Sequence, residues 1–233
     1  MSMLKKPLPR IALVTCLLLI AGMVALAAAG RKNGIVVSNN GRNVIATHPS
    51  GHVVAPPQVP AGLTLIAGNL SKYPFGVYFC CYGDTISGPD SFLGSAYWDA
   101  IPFTPTANMT VTKVQASVGW GQNGVNGVTL SINADANGLP GNALGSVDVT
   151  GLGDFGDCCQ LAQAGGGSQG VPVTAGTQYW FVVSTDTKTE TTFDAWAYNT
   201  TDMRSYPSAF YATSNGGWIN TEGILPGYAI YGQ

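Results

Sequence analysis

The sequence predicts an all-β protein: an antiparallel β-sandwich, jelly-roll-like, preceded by an N-terminal apolar helix and a linker. Three observations carry that prediction. Short runs alternate apolar and polar residues, the two-residue period of a half-buried strand. Gly, Pro and Asn clusters punctuate those runs at the spacing of a sandwich. Only 9% of the 233 residues are charged while 45% are hydrophobic, and 31 Gly and 14 Pro fill the difference, which suits a turn-rich β protein and not a helical one with charged surfaces.

The first segment, 1–29, has the order of an export signal. Lys5, Lys6 and Arg10 form a basic start, Ile11 to Ala29 carries no charge, and Ala27-Ala28-Ala29 supplies small residues for cleavage. The apolar run is also long enough to cross a bilayer, so a signal peptide and a retained membrane anchor both fit. Either places the rest of the chain outside, as a secreted or N-terminally anchored protein. Thr15 before Cys16 and apolar sequence after it do not fit a lipid-attachment site.

Residues 30–62 read as a flexible linker. Asn39-Asn40-Gly41, Pro49-Ser50-Gly51 and Pro56-Pro57 interrupt them, and periodicity is weak. The chain's two histidines, His48 and His52, stand here, separated by Pro49 and Gly51, which oppose the helix that a metal pair at that spacing needs.

Residues 63–233 read as the sandwich domain. Val114 to Trp120 and Val128 to Ile132 alternate, and Val147 and Val149 flank Asp148. Gln178 to Val183 is apolar throughout, as a strand covered on both faces would be. Further strands are expected near Thr64–Ala67, Val77–Phe79, Ala96–Trp98, Phe193–Tyr198, Phe210–Thr213 and Tyr228–Tyr231. This body holds four basic residues against twelve acidic ones, a formal −8, which disfavours nucleic acid and anionic lipid.

Cys80-Cys81 and Cys158-Cys159 are two adjacent pairs. An even count in an exported chain favours disulfides, either joining the pairs or bridging each pair within itself. Zinc is the alternative, although adjacent cysteines in a strand point to opposite faces. Asn133, Asp135 and Asn137 before Gly138 echo the first half of a calcium loop, but Leu144 stands where the bidentate acid belongs; a hairpin turn through Asn137-Gly138 is the simpler expectation. Trp98, Trp120, Trp196 and Trp218 stand among Gly, Asn and Asp, and are candidates for ligand contact or for the core. The domain has no His, which excludes Ser-His-Asp and Cys-His chemistry; a pair of acids remains as the one hydrolytic device. Asn69, Asn108 and Asn199 begin glycosylation sequons.

Ile101-Pro102-Phe103-Thr104-Pro105, the Asp135 to Gly141 hairpin and Val173 to Trp180 occur in an order that resembles the choice-of-anchor R type domain of bacterial exported proteins, over about half the chain. The resemblance implies a secreted or surface β-sandwich and no particular activity. With no C-terminal anchor after the last expected strand, the tether is expected at the N-terminus.

The expectation is an exported, non-catalytic surface module that binds carbohydrate or another envelope component, without a cofactor apart from the calcium echo. A structural or adhesive envelope protein without small ligand is the first alternative, and a carboxylate-pair glycan hydrolase the second.

Overall fold

The computed structural model describes residues 34–38, 40–47, 59–70, 78–156, 161–165, 170–200 and 202–233, with backbone alone for 78–80. The N-terminal apolar segment, both histidines, Cys158 and Cys159 lie outside the described residues, as does the Cys80 side chain. Among the described residues no helix is long and apolar enough to cross a membrane.

The strands are β1 (Ile35–Ser38), β2 (Asn43–Ala46), β3 (Thr64–Gly68), β4 (Tyr78–Ser87), β5 (Tyr97–Phe103), β6 (Met109–Ala116), β7 (Val118–Asn123), β8 (Gly127–Asp135), β9 (Pro140–Thr150), β10 (Ala162–Gly165), β11 (Val171–Val173), β12 (Tyr179–Ser184), β13 (Phe193–Asn199), β14 (Ser205–Ala212), β15 (Gly217–Ile224) and β16 (Tyr228–Gly232). All named strands pair antiparallel, and the fold is an all-β sandwich of two sheets. One wing of the larger sheet runs β15-β14-β5-β12-β8-β9. A single residue pair, Ser87 with Tyr97, links it to a second wing, β7-β13-β4-β2-β1. The smaller sheet holds β3, β16 and β6, with β10 and β11 on the far side of β6.

The main core lies between the six-strand wing and the smaller sheet. Ile101, Leu130, Ile132, Phe181 and Val183 from one side meet Val111, Val114, Ala116 and Ile230 from the other. β12 is buried along nearly its whole length, as its unbroken apolar run predicts. Trp196 belongs to this core: it is 0% exposed, donates its indole N–H to the Gly227 carbonyl at 2.9 Å and meets Phe181 edge-on. Its expected role in ligand contact is therefore corrected. A second apolar cluster, with Val44, Phe193, Ala195 and Tyr231, fills the opposite side of β13 and β16.

The linker expectation fails over 35–46. These residues form a hairpin, and β2 pairs with β4. The reversal depends on Asn40 (φ 55) and Gly41 (φ 94), both left-handed, so Asn-Gly there is a turn and not a tether. A side chain at Gly41 would also strike the Tyr97 ring at 2.7 Å. The flanking strands are four residues each, too short for their alternation to stand out in sequence.

Among the described residues, three acids are interior. Asp84 and Asp99 are 3% and 2% exposed, and their carboxyls hydrogen-bond each other. Asp84 also accepts from Tyr198 Oη at 2.5 Å and from Asn43 Nδ2 at 3.3 Å; Asp99 accepts from the Ala100 N–H at 2.8 Å. Burial raises both pKa values, most for Asp99, which the neighbouring Asp84 raises further; the charge of Arg42 offsets part of this. Asp194 is 0% exposed with neither carboxyl oxygen in a regular hydrogen bond, and burial pushes its pKa well up against the weak pull of the Gly121 N–H.

Two outcomes follow from this interior. Val44 is 0% exposed, so Val44→Ala should lower stability by about 1.6 kcal/mol, two methyl-sized groups at ~0.8 each. An unchanged urea midpoint would return 35–46 to the status of a tether. For pH, the folded pKa values of Asp84, Asp99 and Asp194 lie above that of an unfolded Asp, near 4. Their contribution is complete below about pH 4 and is lost as pH rises through the folded values. Exposed Asp135 and Asp148 and half-buried Asp202 are lowered by hydrogen bonds from Trp180, Lys188 and Arg204 respectively; their contribution is present above about pH 4 and lost as pH falls. Thermal melts should therefore peak near about pH 4–5, and Asp194→Asn should flatten the decline on the alkaline side. A melting temperature that climbs steadily from about pH 5 to 8 would contradict the burial of these acids.

Candidate functional site

The outward face of the six-strand wing is built from alternate residues, because alternate side chains of a strand leave the same side of a sheet. The inward set of β5 is Asp99, Ile101 and Phe103, which leaves Trp98, Ala100 and Pro102 facing out. The pairing register then aligns outward residues in rows across the strands. In one row Trp218 of β15 pairs with Tyr211 of β14, and Tyr211 with Trp98 of β5. Val183 pairs with Asp99, so Ser184 of β12 follows beside Trp98; Ser184 pairs with Thr129 of β8, and Thr129 with Asp148 of β9. The neighbouring row is Asn220, Ala209, Ala100, Val182, Ser131 and Ser146.

The first row is aromatic at one end and polar at the other. Trp98 stacks on Tyr211 with centroids 4.1 Å apart and planes 17° apart. Trp218 meets Tyr211 edge-on at 5.6 Å and lies 6.3 Å from Trp98. All three rings are half-buried. Trp218 packs on the small side chains of the second row, where Ala100, Ala209 and Val182 are buried, and so has one side on the sheet and the rest toward solvent. Trp98 is fixed from below: its indole N–H donates to Thr185 Oγ1 at 2.9 Å. At the polar end, Thr129 Oγ1 donates to Asp148 Oδ1 at 3.0 Å and Lys188 Nζ to Asp148 Oδ2 at 3.1 Å. Those hydrogen bonds, Lys188 first, hold the Asp148 pKa below its ordinary value.

Of the four candidate tryptophans, the structure brings Trp98 and Trp218 together and separates the other two. Trp120 is on β7 in the other wing, packed against the main core, with its indole N–H donating to the Asn123 carbonyl at 3.3 Å. Tyr211 completes the cluster and was not singled out in sequence; its one signal was its place in an expected strand, with outward or inward direction undetermined.

The Asn133 to Gly138 segment is a hairpin turn, with Asn137 (φ 57) and Gly138 (φ 81) left-handed and the Ala136 N–H donating to the Leu139 carbonyl at 2.8 Å. Asp135 is its latch. One oxygen accepts from Trp180 Nε1 and Gln178 Nε2, each at 2.8 Å, and the other from the Gly138 N–H at 3.0 Å. Asn133 Oδ1 accepts from Ser131 and its amide donates to the Gly141 carbonyl. Among the described residues no three His, Cys, Asp or Glu side chains converge to hold a metal ion. Cys81 is a free, half-buried thiol beside the second apolar cluster, and burial raises its pKa.

The two interior acids in contact, Asp84 and Asp99, are sealed from solvent and sit closer than the roughly 5–9.5 Å that separates the carboxyls of glycoside hydrolases. Their chemistry is that of a shared proton in the core. Of the sequon asparagines, Asn69 and Asn199 are buried and Asn108 is exposed. No family model, no curated protein and no solved structure matches this chain.

Proposed function

We propose that this chain is an exported, non-catalytic, jelly-roll-like module that binds carbohydrate at the outer face of its six-strand wing. The observation that carries the reading is the Trp98–Tyr211–Trp218 cluster, half-open to solvent and continuous with a row of hydroxyl and carboxylate side chains. Sugars present an apolar face of C–H groups and a rim of hydroxyls. A surface that is apolar at one end and rich in acceptors and donors at the other matches both. Pre-set rings also lower the entropy lost on binding, since Trp98 is pinned by Thr185 and stacked on Tyr211.

Export rests on the basic-then-apolar order of 1–29, whether that segment is cleaved or kept as an anchor.

The test is titration of the purified protein with soluble and insoluble polysaccharides, read by tryptophan fluorescence and co-sedimentation. Binding with a change in emission is expected, and Trp218→Ala should weaken it by roughly thirtyfold, the ~2 kcal/mol of an interface hot spot. Absence of binding across a broad polysaccharide set, with the protein folded by circular dichroism, would remove the carbohydrate reading and leave a structural envelope protein.

A further inference from the structure

The aromatic cluster is one end of a longer feature. The row Trp218, Tyr211, Trp98, Ser184, Thr129, Asp148 crosses six strands, β15 to β9. At ~4.8 Å per strand spacing it extends over about 24 Å, well beyond the footprint of one sugar ring. Its chemistry changes once along the way, from rings to hydroxyls and a carboxylate, and the ends are held by different parts of the chain. The aromatic end is braced from Thr185 and from the small side chains beneath Trp218. The polar end is braced by Lys188, which lies on the segment directly after β12 and pairs with Asp148. Thr185 and Lys188 belong to that one connection, so a single loop supports both ends of the row.

Resting on the carbohydrate reading above, we infer that the ligand is an uncharged glycan chain of several units, laid across the strands from Trp218 to Asp148. Two observations fix its class. The domain is formally −8 after Pro60, which opposes polyanionic glycans. The cation beside this row, Lys188, stands 3.1 Å from Asp148, so the polar end carries no net positive charge to attract a uronate or sulfate. The aromatic end takes a C–H face of one unit. Ser184 and Asp148 take hydroxyls of units further along. Thr129 is 8% exposed and already donates to Asp148, so it orients the acceptor and does not itself reach the chain.

The experiment is calorimetric titration with neutral gluco-, xylo- and manno-oligosaccharides from disaccharide to hexasaccharide, and with oligogalacturonides as the charged counterpart. Affinity for the neutral series of the preferred sugar should rise with length before levelling. Asp148→Ala and Ser184→Ala should each weaken the hexasaccharide by roughly three- to tenfold, the value of one hydrogen bond, and leave the disaccharide unchanged. Trp218→Ala should weaken both. Asp148 and Lys188 are surface residues, so Asp148→Ala is expected to fold, and its melting curve checks this. A disaccharide bound as tightly as the hexasaccharide, an unaltered hexasaccharide affinity in both polar variants, or a preference for oligogalacturonide would overturn the inference while the carbohydrate reading stands. No binding of any neutral or charged oligomer or polymer would remove both.

Discussion

Ser117 is the point at which the two sheets are tied. It stands between β6 and β7, so the chain leaves the smaller sheet and enters the second wing of the larger one through this residue. Its N–H donates to the Gly227 carbonyl at 2.9 Å, its carbonyl accepts from the Ala197 N–H at 2.9 Å, and its hydroxyl lies 2.8 Å from the Ala197 carbonyl. Gly227 in turn donates to Ala197 and accepts from the Trp196 indole, both at 2.9 Å. Three strands are thus joined at one buried residue set. A crossover between sheets leaves backbone groups out of both ladders, and each orphaned N–H or C=O in a dry interior costs about 1–3 kcal/mol. Here those groups pair with one another, and the Ser117 hydroxyl and the Trp196 indole add second donors to the Ala197 and Gly227 carbonyls. That bond and the edge-on contact with Phe181 hold Trp196 in the core.

With the two layers fixed, the direction of every side chain on the six-strand wing is decided by the period of two. Phe181 and Val183 face the core, so Trp180, Val182 and Ser184 face out; the same parity applied to β5 and β14 sends Trp98 and Tyr211 outward as neighbours. The site is therefore a by-product of register, and a slip of one residue in β14 would turn Tyr211 inward and Phe210 outward. Register there is secured on the inner side, where Phe210 stacks on Tyr97 and lies under the Arg42 guanidinium at 4.8 Å. The hairpin of β1 and β2 supplies that arginine. The segment that looked like a tether thus helps to set the face on which the proposed ligand sits.

What could be read in the sequence follows the strength of the local signal. The run Gln178 to Val183 and the Asn137-Gly138 turn announce themselves, because a buried central strand and a left-handed hairpin each demand particular residue types. The edge strand β15 does not. Trp218, Asn220 and Glu222 alternate with Ile219 and Thr221, a mixture in which neither face is clearly apolar, and Gly216-Gly217 suggested only a turn. The site was half visible for a related reason. Trp98 and Trp196 both lie within two residues of an acid and an alanine, and nothing nearby distinguishes an indole that closes the core from one that opens to solvent. That difference is made by pairing partners far along the chain: Tyr211 for Trp98, Gly227 for Trp196. The interior acids were hidden in the same way, since twelve carboxylates in a domain with four basic residues look like a solvated surface until Asp84 is set against Asp99.

Those interior acids and the outer row divide the charged side chains into two populations with opposite physics. Asp148 is solvated and gains from staying ionised beside Lys188, whereas Asp194 and Asp99 gain from staying protonated. Strand β5 carries both sides of this division within two residues: Trp98 faces the proposed ligand and Asp99 faces the core, where its carboxyl meets Asp84. Ionising the buried pair pushes two like charges apart in a medium that screens them poorly, and the strain falls on β4 and β5, joined there by one residue pair. Trp98 rides on that strand. Its hydrogen bond to Thr185, just after β12, and its stack on Tyr211 of β14 hold the ring on the outer face, opposite the side on which Asp99 meets Asp84. The outer face can then keep its geometry over a pH range in which the core loses stability, because the contacts that orient the rings, an indole-to-hydroxyl hydrogen bond and a ring stack, include no carboxylate.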